Sequence, residues 1–476
     1  MRKMPLARAA LLFLLAGVSG LASADRLLPS DLTYVGAFAV PMTDPYAAMG
    51  AIGSTASMSF RPDGDPTGPS DGFPGSLFLS NGFYVTEINI PKPVKTTSLG
   101  SLNVAQELQS NARITGGVSL APTDSFGAVA YVPAKGSQTT PKLYWSVFEY
   151  YNVAGDDYSS LGWGEVKLSA PTPAGIWHIG TAAGTNWDSA FHGQKYGDYI
   201  IPVDQAWADQ NTGGKSLLVG RYREAGAAGG SMGPVLTAVA PWAAGNPPGA
   251  GSTIPALPLM YFNTISQHTD DTTWMQFQIP TDPDYIYYSA GDRWHGGAWV
   301  ASGTKKAVLI VGRHGTYNGK NPCPPTASGD GCHGTIGSTT PPYCYGVGGV
   351  DCPYGIAATN DKGYHTGPYK PRFLFVDPDD LALVAAGKKA ANAVTAYAMY
   401  DPTGDWPWKD SDNFNDVDGA AYDSSTGYLY VVQGNANRPG GGSSTPWPVI
   451  QVYKVGSGTG TPAPALPNPP SNVTVQ

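Results

Sequence analysis

Four short stretches of small and apolar residues along the chain are each followed, after a turn, by a second and more apolar stretch. The first stretches cover residues 57–60 (SMSF), 117–120 (GVSL), 297–300 (GAWV) and 419–422 (GAAY). The second stretches begin at residues 76, 142, 305 and 427 and read SLFLS, KLYWSVF, KKAVLIVG and GYLYVVQ. Small residues suit inner strands that crowd round a central axis, and the next strand, further out, can be bulkier. The pattern therefore predicts the blades of a β-propeller.

The number of blades follows from the spacing of these stretches, which begin 60, 180 and 122 residues apart. The long interval holds four further apolar segments, at 198–203, 216–222, 234–240 and 259–263, which make one more blade. The last blade lacks a fourth strand, while segment 33–40 (TYVGAFAV) is left over near the other end of the chain. We therefore expect an all-β ring of five blades closed by this N-terminal strand, because closure removes free sheet edges. Six or seven blades are the alternative, since the intervals are close to multiples of 60.

Composition supports a single β-rich domain. The 476 residues include 61 glycines and 43 prolines, and only 13% are charged, which is typical of many short strands joined by turns. The clearest helical signal covers 380–393. We assign residues 25–455 to the propeller, with a Gly/Pro-rich insertion at about 318–369, and residues 456–476 to a flexible linker and tail.

The first 24 residues have the pattern of a signal peptide. Three basic residues precede an apolar run at 9–18 and the small residues Ala-Ser-Ala at 22–24. The run is too short to span a bilayer, so we expect a secreted protein, extracellular or periplasmic, with a membrane anchor as the alternative. Cleavage leaves 25 Lys and Arg against 36 Asp and Glu. This acidic balance disfavours nucleic acid as a partner.

Propeller geometry selects the candidate functional residues. Inner strands begin, and second strands end, on the same side of the disc, which we call the upper face; loops held there by a rigid scaffold favour binding and catalysis. The predicted catalytic residues are His192, Tyr196, Arg221, His295 and Arg313. The predicted substrate-binding residues are Arg113, Glu149, Tyr150, Arg223, Arg293, His314, Asp416 and Asp418. Ion pairs between blades are the alternative role for Arg221 and Arg313, and packing is the alternative for the tyrosines.

All the cysteines lie in the insertion. They are Cys323, Cys332, Cys344 and Cys352. In an exported chain, an even number of cysteines in one loop predicts two disulfides, with three pairings open. A zinc site is the alternative because His333 is adjacent to Cys332, although the segment has no Cys-x-x-Cys pair. We expect the stapled loop to form a wall or lid beside the channel mouth.

Calcium has two candidate segments, 63–71 and 410–418, which are rich in aspartate. Neither completes the ligand pattern of an EF-hand loop. We therefore expect acidic turns at both places and no cofactor, with calcium as the alternative.

Three segments carry a resemblance to a known group. They read LLPSDLTYVGAF after the signal, VLIVGRHGT at 308–316 and VDGAAYDSSTGYLYVVQ near the end, and they resemble a group of uncharacterised secreted bacterial propeller-like proteins. The resemblance implies architecture alone. The C-terminal PPSNVTVQ resembles the start of a fibronectin type III module, which implies tethering to further C-terminal modules; a frayed tail is the alternative.

The size of the chain and the His, Tyr and Arg residues of the upper face are similar, at the level of the fold, to propeller-type polysaccharide lyases. We therefore expect a protein that binds or processes extracellular polysaccharide. In lyase chemistry on an acidic glycan, Arg neutralises the uronate carboxylate while His or Tyr removes the adjacent proton. One alternative is a non-catalytic adhesion, scaffold or protein-binding module. Another is a glycosidase with Glu149 and either Asp416 or Asp418 as its carboxylate pair.

Overall fold

The strands of the protein form five sheets arranged as a β-propeller, as the sequence predicts. The computed structural model describes residues 25–41, 57–121, 124–149, 159–180, 197–220, 234–261, 293–315, 369–408, 417–437 and 447–456. Within these ranges no helix has the length and apolar character needed to cross a bilayer.

The blades follow one another along the chain, and each is built outward from the central axis. Strand β1 (Leu32–Ala39) precedes the first blade along the chain. Blade I comprises β2 (Met58–Arg61), β3 (Ser76–Asn81), β4 (Tyr84–Asn89) and β5 (Glu107–Arg113). Blade II comprises β6 (Asp124–Val132), β7 (Lys142–Glu149), β8 (Leu161–Glu165) and β9 (Ala174–Ile179).

Blade III includes the four segments that the sequence assigns to the long interval. It comprises β10 (Tyr199–Pro202), β11 (Leu217–Gly220), β12 (Leu236–Val239) and a fourth strand that follows β13. Strand β13 (Thr253–Ile254) belongs to blade II, where it pairs in parallel with β9. Strand β14 (Ala256–Met260) then completes blade III. Blade IV comprises β15 (Arg293–Ser302), β16 (Lys305–Gly315), β17 (Tyr369–Val376) and β18 (Ala396–Tyr400). Blade V comprises β19 (Val417–Asp423), β20 (Tyr428–Asn437) and β21 (Trp447–Val455).

Strand β1 supplies the fourth strand of blade V. It runs antiparallel to β21, from Leu32 opposite Val455 to Ala39 opposite Val449. The first and last strands of the ring therefore share one sheet, which confirms the predicted closure. This pairing leaves no unpaired edge between the ends of the propeller.

The inner strands β2, β6, β10, β15 and β19 each contact the next one round the axis. The serines of the first small-residue stretch explain part of this contact. Ser57 and Ser59 accept hydrogen bonds on their Oγ atoms from the backbone N–H groups of Val129 and Tyr131, at 3.0 and 2.7 Å. Small polar side chains thus join the inner strands of blades I and II directly.

Alternating side chains fill the spaces between neighbouring blades. In β16, Val308 and Ile310 belong to the apolar cluster between blades III and IV. Leu309 and Val311, one residue on, belong to the cluster between blades IV and V. Because successive side chains of a strand point to opposite faces, both sides of each sheet are apolar and each blade is packed between two others.

The inner strands approach one another most closely near the upper face. A Cβ atom on Gly127 would lie 1.3 Å from the carbonyl oxygen of Gly197, and one on Gly296 would lie 2.6 Å from the Cα atom of Gly419. Only glycine permits such backbone contacts. Towards the opposite, lower face the strands separate, and a cavity of about 120 Å³ lies on the axis.

One of the four predicted inner strands is wrong. Residues 117–120 lie outside the strands, in a turn in which Val118 N–H bonds to the Thr115 carbonyl oxygen and Gly117 has a φ of +86°. The inner strand of blade II is β6, further along the chain, which pairs with β7. A run of small residues suits a tight turn as well as an inner strand, so composition alone did not separate the two.

The helices are short and lie between strands. They are α1 (Gln205–Asn211) and α2 (Pro378–Ala385), with 3-10 turns at Pro29–Asp31, Gly68–Ser70, Leu99–Ser101, Pro241–Ala243, Ala391–Ala393 and Pro402–Gly404. Helix α2 begins where Asp377 accepts a hydrogen bond from the Asp379 N–H. It ends before Gly387, whose φ is +69°. The helix is therefore shorter than the predicted 380–393, because this left-handed glycine terminates it.

Candidate functional site

The strand register places the predicted upper face as expected. Arg293 at the start of β15 pairs with Arg313 near the end of β16, and Val417 at the start of β19 pairs with Gln433 in β20. The beginnings of inner strands and the far ends of second strands therefore lie on one side of the disc. This is the side towards which the site residues were predicted to converge.

Blade IV concentrates basic and imidazole groups at this face. Arg293 lies directly opposite Arg313, and His314 lies directly opposite Lys370. Arg313 and His314 are 4% and 1% exposed, whereas Arg293 is half-buried. Like charges directly opposite on a sheet are destabilising. The two arginines thus place two basic side chains on neighbouring strands at this end of blade IV.

His295 and Asp418 occupy equivalent positions in adjacent inner strands. The register shifts between Trp294 and Gly296 in β15, and between Val417 and Gly419 in β19, so each of the two residues lies in a β-bulge. Both side chains are buried. Bulges re-aim a side chain and are over-represented next to active sites. The repeated bulge, followed by a glycine in each strand, places a histidine and an aspartate at equivalent positions of two adjacent inner strands.

The side chains of β16 divide between the two neighbouring blades. The His314 ring stacks on Trp294, with centroids 6.4 Å apart and an interplanar angle of 17°. Trp294 belongs to the cluster between blades III and IV, so His314 faces blade III. Arg313 follows Val311 by two residues and therefore faces blade V. The predicted pair is thus split, with the imidazole on one side of blade IV and the guanidinium on the other.

A rigid base supports the arginine side of blade IV. Phe373 lies opposite Val311 in the sheet, and its ring is 6.2 Å from Trp406 and 5.7 Å from Tyr453. The indole Nε1 of Trp406 donates to the Tyr453 hydroxyl at 2.8 Å. Burial raises the pKa of Tyr453 well above its usual value, so the phenol remains neutral at physiological pH. Packed aromatic rings of this kind hold the neighbouring strand ends in place.

Arg372 is a charged residue at this end of blade IV that sequence reasoning missed. It is 1% exposed and lies opposite Gly312 of β16. Its Nη1 atom is 2.7 Å from a carboxylate oxygen of Asp401 and donates to the Pro371 carbonyl at 2.9 Å. The sequence feature that could have identified Arg372 is a charged residue within the otherwise apolar end of the segment YKPRFLFV. Its ion pair with Asp401 gives Arg372 a structural role.

Arg113 lies elsewhere on the upper face. It ends β5, the outermost strand of blade I, and is exposed. Its guanidinium lies 5.1 Å from the centre of the Phe83 ring, and its Nε donates to the Thr115 Oγ1 at 3.4 Å. The expected position at an inner-strand start was wrong, because it rested on residues 117–120 forming that strand. A role for Arg113 in binding stays a prediction.

Several predicted residues lie outside the described ranges. They are Tyr150, His192, Tyr196, Arg221, Arg223 and Asp416, together with Cys323, Cys332, Cys344 and Cys352. Glu149 is described in its backbone, as the last residue of β7 opposite Asp124. The roles assigned to these residues therefore stay predictions.

Of the two calcium candidates, segment 63–71 lies within the described ranges, and its aspartates cap tight turns. Asp65 accepts hydrogen bonds from the N–H and hydroxyl of Thr67, and Asp71 accepts one from the Phe73 N–H. Side chains that bond their own loop in this way are typical of tight turns. Among the described residues, no three His, Cys, Asp or Glu side chains are arranged to hold a metal ion.

Searches of protein-family models and of curated proteins find no match to the chain. Similar solved structures include the PQQ-bound aldose sugar dehydrogenase of Streptomyces coelicolor, at 11% identity and a TM-score of 0.29, over 88% of this chain and 97% of that one. Raptor of Chaetomium thermophilum shares 7% identity over 89% of this chain and 29% of its own, with a TM-score of 0.29. The C-terminal WD40 domain of Sif2 shares 8% identity over 90% of this chain and 99% of its own, with a TM-score of 0.23. Likenesses this weak carry no argument about activity, and the propeller assignment rests on the sheet topology.

Proposed function

We propose that this propeller is a secreted protein that binds an acidic extracellular polysaccharide at the upper end of blade IV and cleaves it by lyase chemistry. The supporting observation is the pairing of Arg293 directly opposite Arg313. His295 and Asp418 lie in matched bulges of the adjoining inner strands.

The paired arginines favour an anionic ligand on energetic grounds. Arg293 and Arg313 place like charges side by side on neighbouring strands, and an anionic ligand at this end of the blade is attracted to both. Guanidinium groups bind carboxylates through two parallel hydrogen bonds, which fixes orientation as well as adding affinity. A uronic-acid polymer carries one carboxylate on each acidic sugar. It therefore presents the group that this end of the blade is suited to bind.

The proposed chemistry is removal of the proton next to the bound carboxylate. Arginine neutralisation of the uronate makes the C5 proton more acidic, and His295 in its neutral form accepts it. The C5–H electron pair becomes the C4=C5 double bond, the C4–O bond breaks with its electrons, and the leaving sugar oxygen takes a proton from solvent water. Asp418 is the candidate group that orients the imidazole. The product is an oligosaccharide with an unsaturated end, which absorbs ultraviolet light.

The test is a panel of soluble polygalacturonate, alginate and hyaluronan, assayed for binding by calorimetry and for unsaturated products by absorbance. Arg293→Gln and Arg313→Gln should each weaken binding by about 1 to 3 kcal/mol, the usual range for a hydrogen bond to a charged group. His295→Gln should lower turnover more than binding, because its role is in the reaction step. Lys388→Gln, an exposed residue after α2 on the lower side of the same blade, is the matched control and should change neither.

Two results would revise the proposal. Binding that depends on both arginines but yields no unsaturated product would remove the lyase step and leave a glycan-binding module. No binding to any of the three polymers would overturn the proposed function as a whole.

A further inference from the structure

A cleft of about 860 Å³ lies on the lower face, between blades I and II. It is on the side opposite the upper face, because its lining includes Arg61 and Tyr131 near the ends of inner strands β2 and β6. Leu108 near the start of β5 and residues 140–141, just before β7, also line it. Its volume is within the range of small-molecule sites in proteins. All of the residues that form its walls belong to described strands or turns.

The first wall is built around Glu87 of β4, whose side chain is 2% exposed. Its carboxylate accepts hydrogen bonds from the Ser76 hydroxyl and the Gln109 amide, both at 2.5 Å, and lies 3.3 Å from the Arg61 Nη1. A Cβ on Gly64 would lie 2.7 Å from this carboxylate and 1.7 Å from the Ser76 hydroxyl. The glycine thus allows the backbone to close over a fixed charge.

Asp63 extends this wall towards solvent. Its carboxylate accepts from the Arg61 Nε at 3.0 Å, and this guanidinium lowers the pKa of the Asp63 carboxyl. The side chain of Asp63 is 67% exposed, against 23% for Arg61. The carboxylate oxygens therefore line the accessible surface, and the guanidinium lies behind them.

The second wall repeats the same arrangement on blade II. Lys142 lies 2.6 Å from a carboxylate oxygen of Glu165, and its ammonium group lies 4.4 Å from the centre of the Trp163 ring. The side chain of Lys142 is 6% exposed and that of Glu165 is 36% exposed. On each wall one exposed carboxylate, Asp63 or Glu165, has a less exposed cation as its partner. The cleft thus presents hydrogen-bond acceptors that are already fixed in place.

The charges in and directly behind the cleft balance. Two positively charged residues, Arg61 and Lys167, and three negatively charged ones, Asp63, Glu87 and Glu165, line it. Lys142, which does not line the cleft, pairs with Glu165 and balances the third negative charge. A balanced lining has little net attraction for an ion of either sign. Fixed acceptors without net charge suit a ligand that is rich in hydroxyl donors.

Apolar surface lies beside these acceptors. Leu108 is 39% exposed at the edge of the cleft, and Pro141 and Val166 also line it. Tyr131 lines both the cleft and the axial cavity, where half-buried Phe60, Trp299 and Tyr422 add further lining. A sugar ring has a C–H face that packs on such surface and an edge of hydroxyls that bonds to carboxylates.

From this combination we propose that the cleft between blades I and II binds a neutral oligosaccharide, with its hydroxyls donating to Asp63 and Glu165 and its C–H faces packing on Leu108 and towards Tyr131. The site is separate from the proposed acidic-glycan site, which lies on the other face and on another blade. Neither site requires the other to be occupied.

The test uses hexasaccharides of glucose, mannose and xylose, titrated into the full chain by calorimetry. Asp63→Asn and Glu165→Gln should each weaken binding about tenfold, since each keeps the size of the side chain but replaces a charged acceptor with a neutral one. Leu108→Ala should weaken it several-fold by removing apolar contact. Asp209→Asn, an exposed carboxylate on α1 outside the cleft, is the matched control and should leave the dissociation constant unchanged.

Clear results would overturn this proposal. Failure of all three hexasaccharides to bind at millimolar concentration would do so, as would binding that both Asp63→Asn and Glu165→Gln leave intact. Binding of oligolysine instead, lost in the same variants, would show that the cleft takes a cation. Thermal melts of each variant confirm that lost binding does not reflect lost folding, and retained uronate binding by the same variants would keep this test distinct from that of the upper face.

Discussion

At the upper end of blade IV, Arg293 and Arg313 lie directly opposite each other, whereas in the cleft of the lower face Arg61 and Lys142 each contact a carboxylate. The first arrangement places two like charges on neighbouring strands, which is unfavourable in a sheet. The second pairs each cation with an anion. The difference indicates that the two faces suit different ligands, an anion above and a neutral hydroxyl-rich molecule below.

The two faces also differ in how the inner strands meet. Near the upper face the backbones of Gly127 and Gly197 touch, as do those of Gly296 and Gly419. Near the lower face a cavity of about 120 Å³ opens on the axis between half-buried aromatic rings. Neighbouring inner strands are therefore in backbone contact towards the upper face, whereas the axial cavity lies towards the lower face.

Both faces depend on ring closure, so the largest expected effect comes from breaking it. Deletion of residues 25–41 removes β1 and exposes an edge of β21 in blade V. We expect the loss of a cooperative thermal transition, since every blade is packed between two others. Truncation after residue 456 is the control and should leave the melting temperature unchanged. An unchanged melting temperature in the deletion variant would contradict closure by β1.

The next effect tests the close contact at the upper end of the axis. Gly127→Ala places a methyl group against the carbonyl oxygen of Gly197 and should destabilise the protein by about 3 kcal/mol. Gly404→Ala is the control, because its added Cβ would have no atom within 4 Å. Urea unfolding measures both. Equal stability of the two variants would show that the inner strands separate more easily than the contact indicates.

A smaller effect distinguishes the ion pairs of the lower cleft from the opposed arginines of the upper face. Glu87→Gln should lower the free energy of unfolding by about 1 to 3 kcal/mol, because it weakens hydrogen bonds to a buried charged group and leaves Arg61 with one fewer anion. Arg293→Gln, in the absence of ligand, should change stability by no more than a few tenths of a kcal/mol, because Arg293 is half-buried and lies opposite a like charge. Chemical unfolding of both variants without glycan provides the measurement. Destabilisation by Arg293→Gln to the same extent as by Glu87→Gln would remove the contrast between the faces.

The smallest effect at neutral pH concerns Tyr131 and Tyr422, which line the cavity on the propeller axis. Burial raises the pKa of Tyr422 to about 12 and also raises that of Tyr131. A pKa raised on folding means that the neutral phenol is favoured in the folded state. Its contribution to stability is therefore complete below pH 10 and is lost as the pH rises towards 12. Tyr422→Phe should reduce this alkaline loss, and titration of tyrosinate absorbance should show delayed ionisation. Ordinary ionisation near pH 10 in the folded protein would contradict the burial of these rings.

The sequence predicted the five blades and their closure because strand patterns alternate locally and a leftover strand has one obvious partner. It also predicted which strand ends share a face. The error at residues 117–120 arose because small residues occur in turns as well as in inner strands. The helix after β17 was over-extended for a related reason, since the stop at Gly387 depends on one backbone angle.

The lower cleft was not predicted because its residues are distant in sequence. Arg61, Glu87 and Glu165 span more than a hundred positions, and only strand register brings their side chains together. One local signal was available: Glu87 lies within the apolar segment YVTEINI, where a charge must be paired if it is buried. The separation of His314 from Arg313 was equally hidden, because adjacent residues of a strand point to opposite faces.

The most direct test of two distinct faces is a calorimetric titration of each ligand into protein saturated with the other. We expect a neutral hexasaccharide to bind with the same dissociation constant in the presence and absence of a uronate oligomer, and the reverse titration to agree. Raising the salt concentration should weaken uronate binding, because salt screens exposed charges, and should leave neutral-sugar binding unchanged. Mutual competition between the two ligands, or the same salt dependence for both, would contradict the assignment of separate sites to the two faces.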